Sequence, residues 1–264
     1  MLEIHDTWWR LVLLAALLAT LAASERVRPL KPRTLPLARR WADNFGLGAI
    51  SFFIVRLAQP LAAAGGAVAA AQWQVGLFRW LHLPMFAEFF ATLILLDLAL
   101  YWQHVAFHRI PALWPYHRVH HTDRELDVST AVRFHPVEIV LSALFKVIIV
   151  VLLGAPVAAV LVFEALLTGF AMFNHANLDL GRDLDNALRR FFVTPRMHWV
   201  HHSTNFRESN RNFGFCISAW DRLFGTYQAS PARGIRGIDF GVEGLTPAQS
   251  TTLVRLLKQP LLRR

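Results

Sequence analysis

Hydrophobic residues fall into five long runs along this chain, separated by shorter polar and basic stretches. The runs cover residues 8–23, about 46–71, about 85–102, about 137–153 and 155–173. Runs of this kind predict membrane-embedded helices. A signal peptide is the alternative for the first run, but residues 1–9 carry two acids and no base, which favours a retained helix.

Glycine and proline mark expected breaks in this pattern. Pro60 and the Gly65–Gly66 pair predict a kink or an end in the second run. Gly154 and Pro156 predict a tight hairpin between the last two runs. From His175 onward the chain is polar and aromatic, so we expect it to lie mostly outside the hydrocarbon.

Basic residues indicate how the runs are oriented. Residues 24–44 contain six Lys and Arg, whereas residues 72–84 contain only Arg79. If the N-terminus lies outside, five alternating runs place every basic stretch on the cytoplasmic side. The predicted fold is therefore an all-α, multi-pass transmembrane helical bundle with a cytoplasmic helical cap, in an inner or plasma membrane.

Composition supports a membrane protein. Hydrophobic residues make up 55% of the chain and charged residues 17%, against roughly 45–50% and 25% in soluble domains. The net charge of +9 is typical of loops beside anionic headgroups, so we predict no nucleic-acid partner. Cys216 is the single cysteine, which excludes an intrachain disulfide and a thiolate metal cage.

The end of the chain carries a local helix signal. Thr246, Pro247 and Gln249 form a pattern typical of a helix start. The basic amphipathic helix that follows is expected to lie either on the membrane surface or against the cap.

Histidines carry the chemical signal. The chain has twelve, and ten of them lie between residues 104 and 202. One H-x-x-x-H pair and two H-x-x-H-H triads stand out among them: His104 and His108; His117, His120 and His121; His198, His201 and His202.

The spacing of these histidines has a geometric meaning. On a helix, residues four apart share a face, so the first and third histidines of each triad can bind one ion. The middle histidine is rotated away and can reach a neighbouring ion. Eight donors are too many for one ion and suit two. Imidazole binds Zn, Cu, Fe and Ni, so the spacing leaves the metal open.

Several motifs together resemble the fatty acid hydroxylase and sterol desaturase superfamily. They are the histidine series, Asp97 with Tyr101–Trp102, the stretch Arg133–Glu138, and an NFG…WDRLFGT signature over residues 212–226. The resemblance runs from about residue 90 to 245. It predicts a catalytic domain over residues 86–245. Outside it, the apolar and basic pattern predicts an N-terminal transmembrane and basic region (1–85), and the local helix signal predicts a C-terminal helix (246–264).

The resemblance implies two irons that activate O₂ with two supplied electrons, giving a hydroxylated or desaturated lipid. Zinc is an expected substitute in purified protein. The implied ligands are the eight motif histidines together with His175, and His135 is either a ligand or a supporting residue. Asp97 is expected to orient a ligand imidazole or to link to an arginine of the cap, and Asn174 to ligate or to orient.

The implied partners are a bilayer lipid and an electron donor. The sequence shows no haem or flavin domain, so the donor is expected to be a separate ferredoxin- or cytochrome b5-like protein, and a basic face suits an acidic donor. A histidine-rich membrane transporter or binding protein for zinc or iron is the alternative. Transporters place polar sites near the midplane, whereas these histidines follow the ends of the apolar runs.

Overall fold

The computed structural model describes residues 2–57, 62–246 and 251–262, and within these ranges every regular element is helical, with two isolated β-bridges. The α-helices are α1 Leu2–Val27, α2 Leu37–Leu57, α3 Ala63–Trp73, α4 Leu77–Leu81, α5 Met85–Arg109, α6 Trp114–His121, α7 Pro136–Leu153, α8 Val157–His175, α9 Arg182–Leu188, α10 Pro195–His201, α11 Phe206–Ser209, α12 Ala219–Leu223, α13 Gly234–Gly237 and α14 Leu253–Lys258.

Three helices of the described ranges are long and apolar enough to cross a membrane: α5, α7 and α8. These helices correspond to the last three predicted runs. The first run lies within α1, and the second is divided between α2 and α3.

No helix ends at Gly65–Gly66, because both glycines lie inside α3. A side chain at residue 66 would bring its Cβ to 3.2 Å from Cγ1 of Val147 on α7. Glycine here permits close helix packing rather than a break. Pro60 lies outside the described residues.

The predicted hairpin between α7 and α8 is confirmed. Gly154 ends α7 with a φ of +66°, and Pro156 is the residue that precedes α8. The turn packs against Gly76, where an added Cβ would lie 2.2 Å from the Gly154 nitrogen. Both positions therefore need glycine.

An apolar core joins α3, α5, α7 and α8, through residues that include Ala67, Leu96, Val150 and Phe163. Because α7 and α8 form a hairpin, the start of α7 and the end of α8 lie at the same end of the core. The end of α5 meets them there, and the short helices of the cap, α6 and α10, pack at this end.

The basic stretch 24–44, which begins in the last turn of α1, lies on the same face as the cap. Glu25 accepts hydrogen bonds from the backbone N–H groups of Val128 and Asn177, both at 2.8 Å. Arg40 forms ion pairs with Asp123 at 3.0 Å and Asp127 at 2.8 Å. These contacts hold residues 24–44 beside the histidine motifs.

The C-terminal helix packs against the cap, which is one of the two expected positions. Leu256 is fully buried against Leu47 and Val119. Nη2 of Arg118 donates to the carbonyl of Gln259 at 2.8 Å. The predicted helix start at residues 247–249 lies outside the described residues.

Candidate metal centre

Two short helices with prolines in their first turns carry the H-x-x-H-H triads. Pro115 stands in the first turn of α6, and Pro195 begins α10. Proline suits these positions because the first N–H groups of a helix have no partner within it. Each triad therefore begins about one turn after a defined helix start.

Nine imidazoles converge into two groups at this end of the bundle. Within each group the ring nitrogens lie within 4.8 Å of one another. The first group contains His104, His108, His117, His121 and His201, and the second contains His120, His175, His198 and His202.

The triads divide between the groups as their spacing predicts. His117 and His121 enter the first group, while His120 between them enters the second. In the other triad, His198 and His202 enter the second group and His201 enters the first. The two groups are therefore linked by both α6 and the end of α10.

Most of these rings are oriented by hydrogen bonds at Nδ1. Nδ1 of His104 lies 2.8 Å from the carbonyl of Phe213, and Nδ1 of His201 lies 2.9 Å from that of Arg211. Nδ1 of His175 lies 2.6 Å from the carbonyl of Ala171, and Nδ1 of His120 lies 3.3 Å from that of Arg133. Because a carbonyl only accepts, each Nδ1 carries the hydrogen and each Nε2 presents a lone pair.

The lone pairs of different rings face each other at short range. The Nε2 atoms of His120 and His175 lie 3.0 Å apart, and both rings carry their hydrogen at Nδ1. Two such lone pairs repel each other unless they share a cation. Donors at right angles around an ion, each at about 2.1 Å, lie about 3.0 Å apart. The donor set therefore fits a metal in each group.

Burial favours the ligating form of the rings. Eight of the nine rings are buried, and His108 is half-buried. Burial lowers the pKa of His117 to about 3. It also lowers the pKa values of His120, His121, His198, His201 and His202 well below the usual range. Neutral imidazole is the form that binds a metal.

His135 belongs to neither group. Its Nδ1 accepts from the Val137 N–H at 3.2 Å, capping α7, and its Nε2 lies 3.2 Å from the carbonyl of Leu257. The backbone turn before α7 directs the ring to α14. His135 was expected to be either a ligand or a supporting residue, and its position outside both groups is wrong for a ligand. His82 is exposed, and the side chain of His5 lies outside the described residues.

Asp97 differs from its expected role, because its carboxylate meets neither an imidazole nor an arginine. It accepts from the N–H groups of Cys216 at 3.2 Å and Ile217 at 3.0 Å, and from Nε1 of Trp220 at 2.8 Å. An acid at this depth needs donors, and the loop 215–220 supplies all three. Asn174 supports the same loop, since its Nδ2 donates to the carbonyl of Phe215 at 2.7 Å.

The carboxyl group that does contact an imidazole is Glu138. Its Oε1 lies 2.6 Å from Nδ1 of His117. The sequence signal for this residue is an acid in the first turn of an apolar helix, at the end of the Arg133–Glu138 stretch. Asp221 supports His104 indirectly, through the backbone of Phe213. Its carboxylate accepts from the Phe213 N–H at 2.7 Å, and the Phe213 carbonyl faces His104.

Comparison with known proteins agrees with this geometry. The fatty acid hydroxylase family profile matches residues 89–226, which is just over half of the chain. The chain belongs to the fatty acid hydroxylase family. No solved structure gives a significant match.

Relatives in this family act on lipids. An ornithine lipid hydroxylase from Rhizobium tropici is 31% identical over 61% of this chain and 47% of its own length. Alkylglycerol monooxygenases from Homo sapiens and Danio rerio are 26% and 31% identical, over 64% and 61% of this chain. The chain aligns with 38% and 35% of those two proteins, so it spans less than half the length of these relatives. Family and relatives support lipid hydroxylation and do not support the transporter alternative.

Proposed function

We propose that this protein is a membrane-bound lipid hydroxylase with two iron ions. The observation that carries the proposal is the arrangement of the two imidazole groups. Within a group, the Nε2 lone pairs of different rings face one another. The overall reaction converts a lipid C–H bond, O₂, two electrons and two protons into C–OH and water. Hydroxylation is preferred to desaturation because the relatives are a hydroxylase and monooxygenases.

Each part of the chain has a task in this scheme. The nine imidazoles of the two groups hold the metals through ring nitrogens. O₂ activation is the chemistry that two irons held there would supply. Backbone carbonyls and Glu138 orient the rings, and burial keeps water from competing for the donors. Asp97 on α5 holds the 213–221 loop through the Ile217 N–H, and Asp221 closes that loop on itself through the Phe213 N–H.

Orientation and electron supply complete the proposal. The basic stretch 24–44 lies on the histidine face, and the distribution of Lys and Arg favours the cytoplasmic side for this face. Electrons then come from a soluble ferredoxin- or cytochrome b5-like donor that docks on basic residues. The division into segments 1–85, 86–245 and 246–264 stays a prediction.

Substitutions of histidine by alanine test the function. The full chain, purified from iron-supplemented cells, is assayed for iron content and for O₂-dependent lipid oxidation with a surrogate reductase. We expect His201→Ala and His120→Ala, one from each group, to lower turnover by about 100-fold or more and to lose iron. His135→Ala is the matched control, because its ring lies outside both groups, and it should keep both iron and turnover.

Two results would contradict the proposal. One is full turnover in both group variants. The other is wild-type protein that binds only zinc and oxidises no lipid with any reductant.

A further inference from the structure

One side of the metal centre is open. Of the nine imidazoles, eight are buried and His108 is half-buried. A cavity of about 250 Å³ begins at the rings of His108 and His121. The cavity therefore leads directly to the first imidazole group.

A second, larger cavity leads elsewhere. It has a volume of about 570 Å³ and lies between α1 and α8, where its wall includes Leu17, Ala165 and Phe170. This wall is almost entirely apolar and contains no histidine. A hydrocarbon chain lying in this cavity would not face the metal centre.

The wall of the cavity at His108 is chemically mixed. Arg109 and Glu243 supply opposite charges, Ser203 and Asn210 supply hydrogen-bonding groups, and Trp114 and Phe206 supply rings. A hydrocarbon chain lying over these polar groups would form no hydrogen bonds with them, so it is disfavoured there. A polar headgroup would replace those bonds.

Size points to the same part of a lipid. Sites that enclose a drug-sized ligand measure roughly 300–1,000 Å³, so a cavity of about 250 Å³ takes a headgroup and leaves the chains outside. Phe206, which is 73% exposed, offers an apolar surface for the first carbons of those chains.

We propose that the oxidised C–H bond lies in the polar headgroup of the lipid. The headgroup is zwitterionic, with its anion facing Arg109 and its cation facing Glu243. This inference rests on the proposed lipid hydroxylation. The headgroup C–H bond, O₂, two electrons from a one-electron donor protein and two protons give C–OH and water.

The position of the inserted oxygen tests the inference. Iron-loaded full-length protein in nanodiscs of total lipid from cells that carry this gene is supplied with ¹⁸O₂, ferredoxin and a ferredoxin reductase. Tandem mass spectrometry then locates the label, which we expect in the headgroup fragment. Label in an acyl chain would overturn the inference and leave the proposed function intact. A complete lack of labelled lipid would contradict the proposed function itself.

Photocross-linking provides a test that does not depend on turnover. The probe is Nα-palmitoyl-lysine, a zwitterionic lipid, with a diazirine placed beside its headgroup. We expect it to label residues 203–210 and 241–243. Val242→Trp, which fills this cavity, should reduce labelling about tenfold, and Ala165→Trp, which fills the apolar cavity, should leave it unchanged.

Charge variants complete the test. Arg109→Gln and Glu243→Gln should each weaken labelling about fivefold without changing iron content. Equal labelling in wild type and Val242→Trp, or labelling confined to α1 and α8, would refute the inference.

Discussion

At the scale of single residues, the two imidazole groups differ in what supports them. The His117 ring in the first group faces the carboxyl group of Glu138 at 2.6 Å. In the second group, the Nδ1 atoms of His120 and His175 face backbone carbonyls instead. A carboxylate that accepts the Nδ1 hydrogen makes the ligand nitrogen more basic than a carbonyl does. The first group is therefore expected to hold its metal with help from Glu138.

The change Glu138→Gln tests this support, since the amide keeps the size of the side chain but cannot become a carboxylate that accepts the Nδ1 hydrogen. We expect the variant to lose one of its two metals to a competing chelator. The chelator concentration needed for this loss should be about 10–100-fold lower than for wild type. Titration with chelator, followed by metal analysis, measures this. His135→Ala serves as the control. Two metals that leave together at the wild-type concentration would show that Glu138 has no such role.

At the scale of elements, the C-terminal helix supports the metal centre from behind. Leu256 is fully buried between Leu47 on α2 and Val119 on α6, and Val119 directly precedes His120. We expect Leu256→Ala to lower the free energy of unfolding by about 2–5 kcal/mol, because it leaves a cavity behind α6. Thermal unfolding in detergent measures the change. Val254→Ala is the control on the same helix, since Val254 is 60% exposed; equal effects of the two changes would argue against a packed α14.

At the scale of the whole molecule, the metals should act as cross-links. The two groups draw histidines from α5, α6, α8 and α10, together with His202 directly after α10. A ligand that binds only the folded protein stabilises it by about 4 kcal/mol at 1,000 times its dissociation constant. We therefore expect chelation to lower the melting temperature markedly. Acidification should also lower the melting temperature, because protons compete with the metals for the imidazole nitrogens.

Differential scanning calorimetry with and without a chelator measures this effect. The His201→Ala, His120→Ala double variant should show little further change on chelation, since a ligand of each metal is already missing. A wild-type protein whose melting temperature is the same with and without metal would contradict the cross-linking role.

The sequence by itself determined the long apolar helices α5, α7 and α8, the hairpin at Gly154 and the division of each triad between two groups. These features are local: a helix repeats every 3.6 residues, so three histidines in one turn already have defined directions. The two-way division of the motif histidines was therefore predictable from spacing and the all-helical fold from the apolar runs, whereas His175 followed only from the resemblance to the family.

Only the tertiary structure decided which side chains support the rings. Asp97 meets Trp220, Glu138 meets His117, and His135 meets the carbonyl of Leu257. Asp97 and His135 each contact a residue more than a hundred positions away, and Glu138 reaches His117 from a different helix. Which acid meets an imidazole depends on how whole helices pack, and periodicity within one helix carries no information about that. The same reason explains why Gly66 packs against α7 and why the C-terminal helix lies behind α6.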